Sequence, residues 1–298
     1  MVGLRSWAFS MPSDIMVVQK GRAVAKVRTP EAVAAPFWTK RTGLRPVPRV
    51  GGPPLCQDGH VFTEACLGPG AVVWRSRNDA PAEVPADGCV DLIADGDAVR
   101  VCGPQTRWLC SPGTDARGML GLRLSAGTAL RLLPECLPEL RDQVVGLDSE
   151  LGGSAPLRDL MLRAWESADP LAGLDSLLPA LDVPEPWILL ASRAASAGLR
   201  APEAARRLDC SERTLRRRML STFGYSYTTL LRIRRAERAR TLIAGGTGLA
   251  GAAAHAGYAD QAHMCRDFAR LVGASPGQWE DRAAKRSTAL PSGSSTVA

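Results

Sequence analysis

Two groups of side chains carry the donors and acceptors that recognise base edges and phosphates. The first is Ser211, Glu212, Arg213, Arg216 and Arg217, with Arg218 nearby; the second is Asp260, Gln261, His263 and Arg266. Arginine can bond O6 and N7 of guanine, and glutamine N6 and N7 of adenine. Phosphate oxygens attract arginine and capped helix N-termini. On an isolated helix such residues usually form a solvated face. Here each group occupies the early turns of the second of two short helices, the part of such a pair that enters the major groove.

The elements that must position these groups are legible on either side of them. Ala201–Leu208, a turn at Asp209-Cys210 and Ser211–Phe223 form one unit; Leu249–Ala256, a turn at Gly257-Tyr258-Ala259 and Asp260–Leu271 form the other. Each is an alanine-rich helix, a tight turn and a longer helix, the outline of a helix-turn-helix. Ala204, Ala205, Ala253 and Ala254 permit close helix approach. Asp209 and Gly257 stand where the turn needs positive φ, and Ser211 and Asp260 are the expected N-caps. Leu215, Met219 and Phe223, and likewise Met264, Phe268 and Leu271, form apolar stripes that face a core. A connecting helix is expected over residues 226–244, with Ile233, Ala236, Ala239 and Ile243 on one stripe and Gly245-Gly246 ending it. Nineteen residues would span about 28 Å, against about 34 Å for one turn of B-DNA.

Charge is distributed unevenly. The chain of 298 residues is +7 overall, but residues 51–199 hold 11 basic and 20 acidic side chains, and residues 200–245 hold 12 and 4. Residues 1–50 hold 9 and 2. An acidic body followed by a basic segment points to an anionic partner such as nucleic acid. No apolar run approaches a membrane span and no secretory signal opens the chain, so a cytoplasmic protein is expected. The cysteines Cys56, Cys66, Cys89, Cys102, Cys110, Cys136, Cys210 and Cys265 contain no Cys-x-x-Cys pair, and the reading is reduced, mostly buried thiols. With only His60, His255 and His263, a His-rich metal site is excluded by count. Neither a cofactor nor a metal is expected.

The first part of the chain reads as β. Short apolar runs at Ala71–Trp74, Cys89–Ile93, Ala98–Cys102 and Gly121–Leu124 are separated by turn signals, which suggests an antiparallel sandwich or barrel. After Ser125 the pattern turns helical, at Thr128–Leu133, Pro138–Val145, Leu157–Ser167 and Leu171–Leu181. The expected class is α+β, with a leader over 1–54 that is partly disordered, a β-rich sensor or dimerisation domain with a helical tail over 55–183, an all-α double helix-turn-helix domain over 184–283, and a disordered tail over 284–298. Asp87 and Asp91 suit a cationic ligand, although Asp87-Gly88 is more commonly a turn. Trp74 and Trp108 read as core rather than pocket.

Segment 186–283 resembles the DNA-binding domain of the AraC/XylS transcription regulators. The residues that carry the resemblance are Arg235-Ala236-Glu237-Arg238-Ala239-Arg240-Thr241-Leu242-Ile243, then Ala256–Phe268 with its Gly257-Tyr258, Asp260-Gln261, His263 and Arg266-Asp267-Phe268, then Gly273-Ala274-Ser275-Pro276. Ala262 replaces a frequent Pro, Ala236 a usual Leu, and Gly251 lies inside the fifth helix. Ala86–Ile93 and Gly103-Pro104-Gln105 are similar to a sensor segment of AraC-like regulators, with the leading proline displaced to Pro85. The resemblance implies a bacterial DNA-binding regulator, an activator, without enzymatic activity. Its implied partners are double-stranded DNA, RNA polymerase, a small-molecule effector and a second copy of the chain, with no membrane. The alternatives weighed are a DNA alkylation-repair protein with a reactive cysteine, for which Cys89 and Cys136 lack the usual flanking residues, and an N-terminal half that only dimerises or that docks its acidic surface on the basic domain as an autoinhibitory clamp.

Overall fold

The computed structural model describes residues 14–19, 22–28, 61–77, 80–96, 98–133, 137–147, 155–181 and 185–288. The leader contributes an antiparallel pair, β1 (Asp14–Gln19) and β2 (Arg22–Arg28), within the segment expected to be partly disordered. Strands β3 (Val61–Gly68), β4 (Ala71–Arg77), β5 (Ala82–Val84), β6 (Val90–Asp95), β7 (Ala98–Cys102), β8 (Leu109–Ser111) and β9 (Met119–Leu124) follow. After a short helix, α1 (Leu137–Leu140), comes β10 (Val144–Gly146). One antiparallel sheet has the order β10-β7-β6-β9-β4-β3, and β5 pairs with β8 apart from it. Among the described residues the sheet is open, with edges at β10 and β3, rather than a closed barrel. Residues 138–145 were expected to be helical. Instead the chain leaves the helix after Leu140 and Val144 pairs with Cys102, because the edge of β7 offers backbone partners that helix periodicity does not reveal.

Helices α2 (Ala155–Glu166) and α3 (Pro170–Leu174) cover one face of the sheet. Val73, Leu92, Leu120, Leu122 and Val101 meet Met161, Ala164 and Leu174 there, and bury completely or nearly so. The opposite face holds a polar centre. Arg123 donates from Nε to Asp91 Oδ1 at 3.1 Å and from Nη2 to Asp91 Oδ2 at 3.2 Å; Trp74 Nε1 donates to Asp91 Oδ1 at 2.8 Å. Arg123 Nη1 also lies 3.3 Å from Asp87. Asp91 and Asp87 are therefore held by an arginine of the same chain rather than set out for a cationic ligand, and the chain bends at Asp87-Gly88, as the sequence favoured, with Gly88 at φ 74° and Asp87 Oδ1 accepting from Cys89 N. Trp74 is core, as expected, whereas Trp108 is 37% exposed.

The C-terminal domain is all helical: α4 (Pro186–Ser196), α5 (Ala201–Arg207), α6 (Glu212–Phe223), α7 (Tyr227–Ala244), α8 (Leu249–Ala256), α9 (Gln261–Leu271) and α10 (Pro276–Thr288). The last helix runs beyond residue 284, where a tail was expected to begin; residues 289–298 lie outside the described residues, as do most of the leader and positions 182–184 of the expected domain boundary. Among the described residues no helix is long and apolar enough to cross a membrane. The described cysteines are free, but only Cys102 is buried; Cys66 and Cys110 are exposed, and Cys89, Cys210 and Cys265 are half-buried. The expectation of mostly buried thiols is corrected accordingly, since several of these positions fall on strand faces and helix turns that the core does not cover. Cys56, Cys136 and His60 lie outside the described residues.

Removing the carboxylate of Asp91 leaves Arg123, whose side chain is 33% exposed, without its main partner, and Trp74 Nε1 without its acceptor. Asp91→Ala is expected to lower stability by about 1–3 kcal/mol, read from urea unfolding of the full chain. A loss under about 1 kcal/mol would show that Asp87 compensates.

Candidate nucleic-acid interface

Both helix-turn-helix units are built as their sequences suggest. Asp209 adopts φ 48° and Gly257 φ 84°, the left-handed conformations that turn each chain sharply into its second helix. Ser211 Oγ accepts from Thr214 N at 3.1 Å, and Asp260 Oδ1 accepts from His263 N at 2.6 Å. Each cap satisfies one of the amides that open α6 and α9. Leu215, Met219 and Phe223 are buried in the first unit, and Met264, Phe268 and Leu271 in the second.

The opposite faces are open. Ser211, Glu212, Arg213, Arg216, Arg217, Asp260, Gln261 and Arg266 are all exposed. His263 is half-buried, its ring edge-on to Tyr258 with centroids 5.2 Å apart. Arg206 and Arg207, at the end of α5, are also exposed. Arg218 instead lies 5.8 Å over the Trp187 ring.

The connecting helix α7 has 18 residues, with Ser226 as N-cap, and so spans about 27 Å at 1.5 Å per residue. Its stripe Ile233, Ala236, Ala239 and Ile243 is buried in the second unit's core. Its arginines are largely engaged within the protein. Arg232 donates from Nε to Asp267 at 3.0 Å, and Asp267 is 1% exposed. Arg234 pairs with Glu237 at 2.7 Å, and the Arg240 guanidinium sits 4.6 Å over the Trp279 ring. Arg238 donates to Ser196 O at the end of α4 and to Ala256 O at the end of α8, so one side chain ties the two units together.

Sequence reasoning did not name Arg232, and it named Asp267 and Arg238 only within the segments that carry the resemblance, without a structural role. A signal existed for Asp267. It falls between Met264, Phe268 and Leu271 on the apolar stripe, and an acid on a buried stripe requires a buried cation. The partner's position is a long-range fact that no spacing reveals.

The N-terminal domain touches both units, and none of these contacts involves the exposed residues just described. Tyr225, which follows the C-cap Gly224 of α6, donates its hydroxyl to Gly88 O at 3.1 Å. Ala86 N donates to Leu271 O at 2.7 Å and Trp108 N to Arg270 O at 3.2 Å, at the last turn of α9. Ala86 is part of the second unit's core and Ala126 part of the first. Glu83 pairs with Arg282 at 2.5 Å. A groove of about 310 Å³ beside this contact is lined by Cys102, Gln105, Arg107, Trp108, Asp142 and Val144. Among the described residues no cluster of His, Cys, Asp and Glu is placed to hold a metal ion.

Residues 204–282 match the family model of a helix-turn-helix domain. No curated protein matches the sequence. Among solved structures, the chain is similar to ToxT from Vibrio cholerae O395 bound to (E)-4-(8-methylnaphthalen-1-yl)but-3-enoic acid, at 10% identity over 76% of this chain and 100% of that one, with a TM-score of 0.38. It is also similar to an apo lysine-to-alanine variant of ToxT from Vibrio cholerae strain SCE256, at 10% identity over 76% of this chain and 98% of that one, with a TM-score of 0.37. At such scores the likeness says nothing of ligand or partner.

Replacing either cap leaves an amide at the start of α6 or α9 without its acceptor. Ser211→Ala and Asp260→Ala are each expected to cost about 1 kcal/mol. Faster hydrogen exchange confined to the first turn of α6 or α9 respectively would mark the loss as local; equal exchange in wild type and variant would show the cap to be dispensable.

Proposed function

With an AraC-type helix-turn-helix domain at its C-terminal end, the chain is, we propose, a sequence-specific transcription regulator that reads two adjacent major-groove segments of double-stranded DNA. The observation that supports this reading is the pair of capped helix N-termini, each with exposed polar and charged side chains, in two helix-turn-helix units joined by the 18-residue α7. Arg213, Arg216 and Arg217 from α6, and Gln261, His263 and Arg266 from α9, are the proposed base-contacting residues. Ser211, Glu212 and Asp260 sit at the helix starts, where backbone amides meet phosphates.

The two units divide the work. The first presents the exposed arginines Arg206, Arg207, Arg213, Arg216 and Arg217, with exposed Arg218 near the Trp187 ring. Counterion release from phosphates favours this unit for affinity. The second presents Gln261 and His263 with Arg266, and suits base reading. The groove that contains Trp108 is the proposed seat of a small-molecule effector, because Trp108 also contacts the second unit. Action in the cytoplasm with RNA polymerase, activation of transcription and homodimerisation belong to the same proposal.

The repair alternative depends on a nucleophilic thiol. Burial pushes the Cys89 thiol well above its ordinary range, and Asp87 raises it further. A thiol held protonated in this way is a poor methyl acceptor.

Selection from random duplexes tests the proposal. Two enriched segments about one helical turn apart are expected, with a steep negative dependence of log K on log salt. Arg216→Ala should weaken binding by about 1–3 kcal/mol and relax the sequence under α6 alone. Equal affinity for all duplexes would overturn the reading.

A further inference from the structure

In this structure the sensor domain holds the two reading helices from behind. The last carbonyls of a helix lack partners within it. In α9 two of them, Arg270 O and Leu271 O, accept from Trp108 N and Ala86 N, which are backbone amides of the sensor domain. Both donors stand at the same end of the small β5–β8 pair, where Val84 faces Leu109. The C-terminal end of α6 is held by the same loop. Tyr225 is fully buried and its hydroxyl bonds Gly88 O.

The loop that makes these contacts is itself fixed to the sheet. Gly88 N donates to Gln105 O at 2.9 Å, and Gln105 N to Cys89 O at 3.2 Å. Cys89 N donates to Asp87 Oδ1 at 2.8 Å, and Asp87 faces Arg123. Gly88 has φ 74°, and a Cβ there would stand 2.2 Å from the Tyr225 hydroxyl oxygen. The approach is thus too close for any side chain. One alanine from the sensor enters each unit's core, Ala126 the first and Ala86 the second.

We infer that loop 84–89, with Trp108, is a positioning element for DNA reading: it fixes the C-terminal ends of α6 and α9 relative to each other and so sets the spacing of DNA segments that the chain accepts. The inference rests on the two-segment reading proposed above. It differs from an autoinhibitory clamp, because the contacts lie at the helix ends opposite the exposed N-termini, and the acidic surface does not cover the basic one. Tyr225 is a positioning residue here; it has no place among the base-contacting groups.

The test uses the full chain and duplexes that carry both selected segments, with the separation lengthened or shortened by one to three base pairs. Wild type should show a sharp optimum. Tyr225→Phe removes only the hydroxyl, and should lower affinity at the optimum by about two- to tenfold and flatten the spacing profile. Gly88→Ala, which displaces the ring as well, should do so more strongly. Affinity for a duplex with only the first segment should not change in either variant. Hydrogen exchange should rise together in peptides covering 84–89 and 268–273. An unchanged spacing profile in both variants, each folded by near-ultraviolet circular dichroism, overturns the inference while leaving DNA reading intact. Failure of wild type to select any sequence overturns the DNA reading itself, and the inference with it.

Discussion

The ion pair of buried Asp91 with Arg123, which also reaches Asp87, is the interaction on which the interdomain loop rests. A buried charge needs a partner of opposite sign and saturated hydrogen bonds. Asp91 meets that need with Arg123 and Trp74, and the remaining guanidinium nitrogen approaches Asp87. Asp87 in turn accepts from Cys89 N and shapes the loop whose Gly88 carbonyl receives Tyr225. An electrostatic requirement inside the sheet thereby fixes the position of a loop that both helix-turn-helix units contact.

The charge distribution has a different meaning in the folded chain than along the sequence. Residues 200–245 carry the main basic excess. In the structure much of that charge on α7 faces inward or along the protein. Arg232 neutralises Asp267, Arg234 meets Glu237, and Arg238 bonds the carbonyl ends of α4 and α8. Arginine is suited to this because its planar fork can satisfy several acceptors at once. The charge available to phosphates is concentrated on α5 and α6, so the field seen by DNA is narrower than the sequence total suggests.

What could be read from the sequence was local. Turn positions Asp209 and Gly257, caps Ser211 and Asp260, and the apolar stripes of α6, α7 and α9 follow from backbone and side-chain preferences over a few residues. The strand β10 was missed, because its pairing with β7 depends on a distant edge and Val144-Val145 fits a helix stripe equally well. Trp108 was assigned to the core, yet it lines a groove and packs against Gly273, a neighbour more than 150 positions away. Several interdomain contacts were invisible for a further reason: they use backbone amides and alanines, which leave no compositional trace.

The sharing of Ala86 and Ala126 with the helical cores bears on how such a chain could be reassembled from parts. A C-terminal domain grafted onto an unrelated sensor would arrive with a small void in each core and two unpaired carbonyls at the end of α9. It would need a new sensor to supply two methyl groups and two amides at matching positions. Recombination that keeps the junction loops together with the helical domain would preserve the fit, whereas an exchange made at the connecting segment alone would break it.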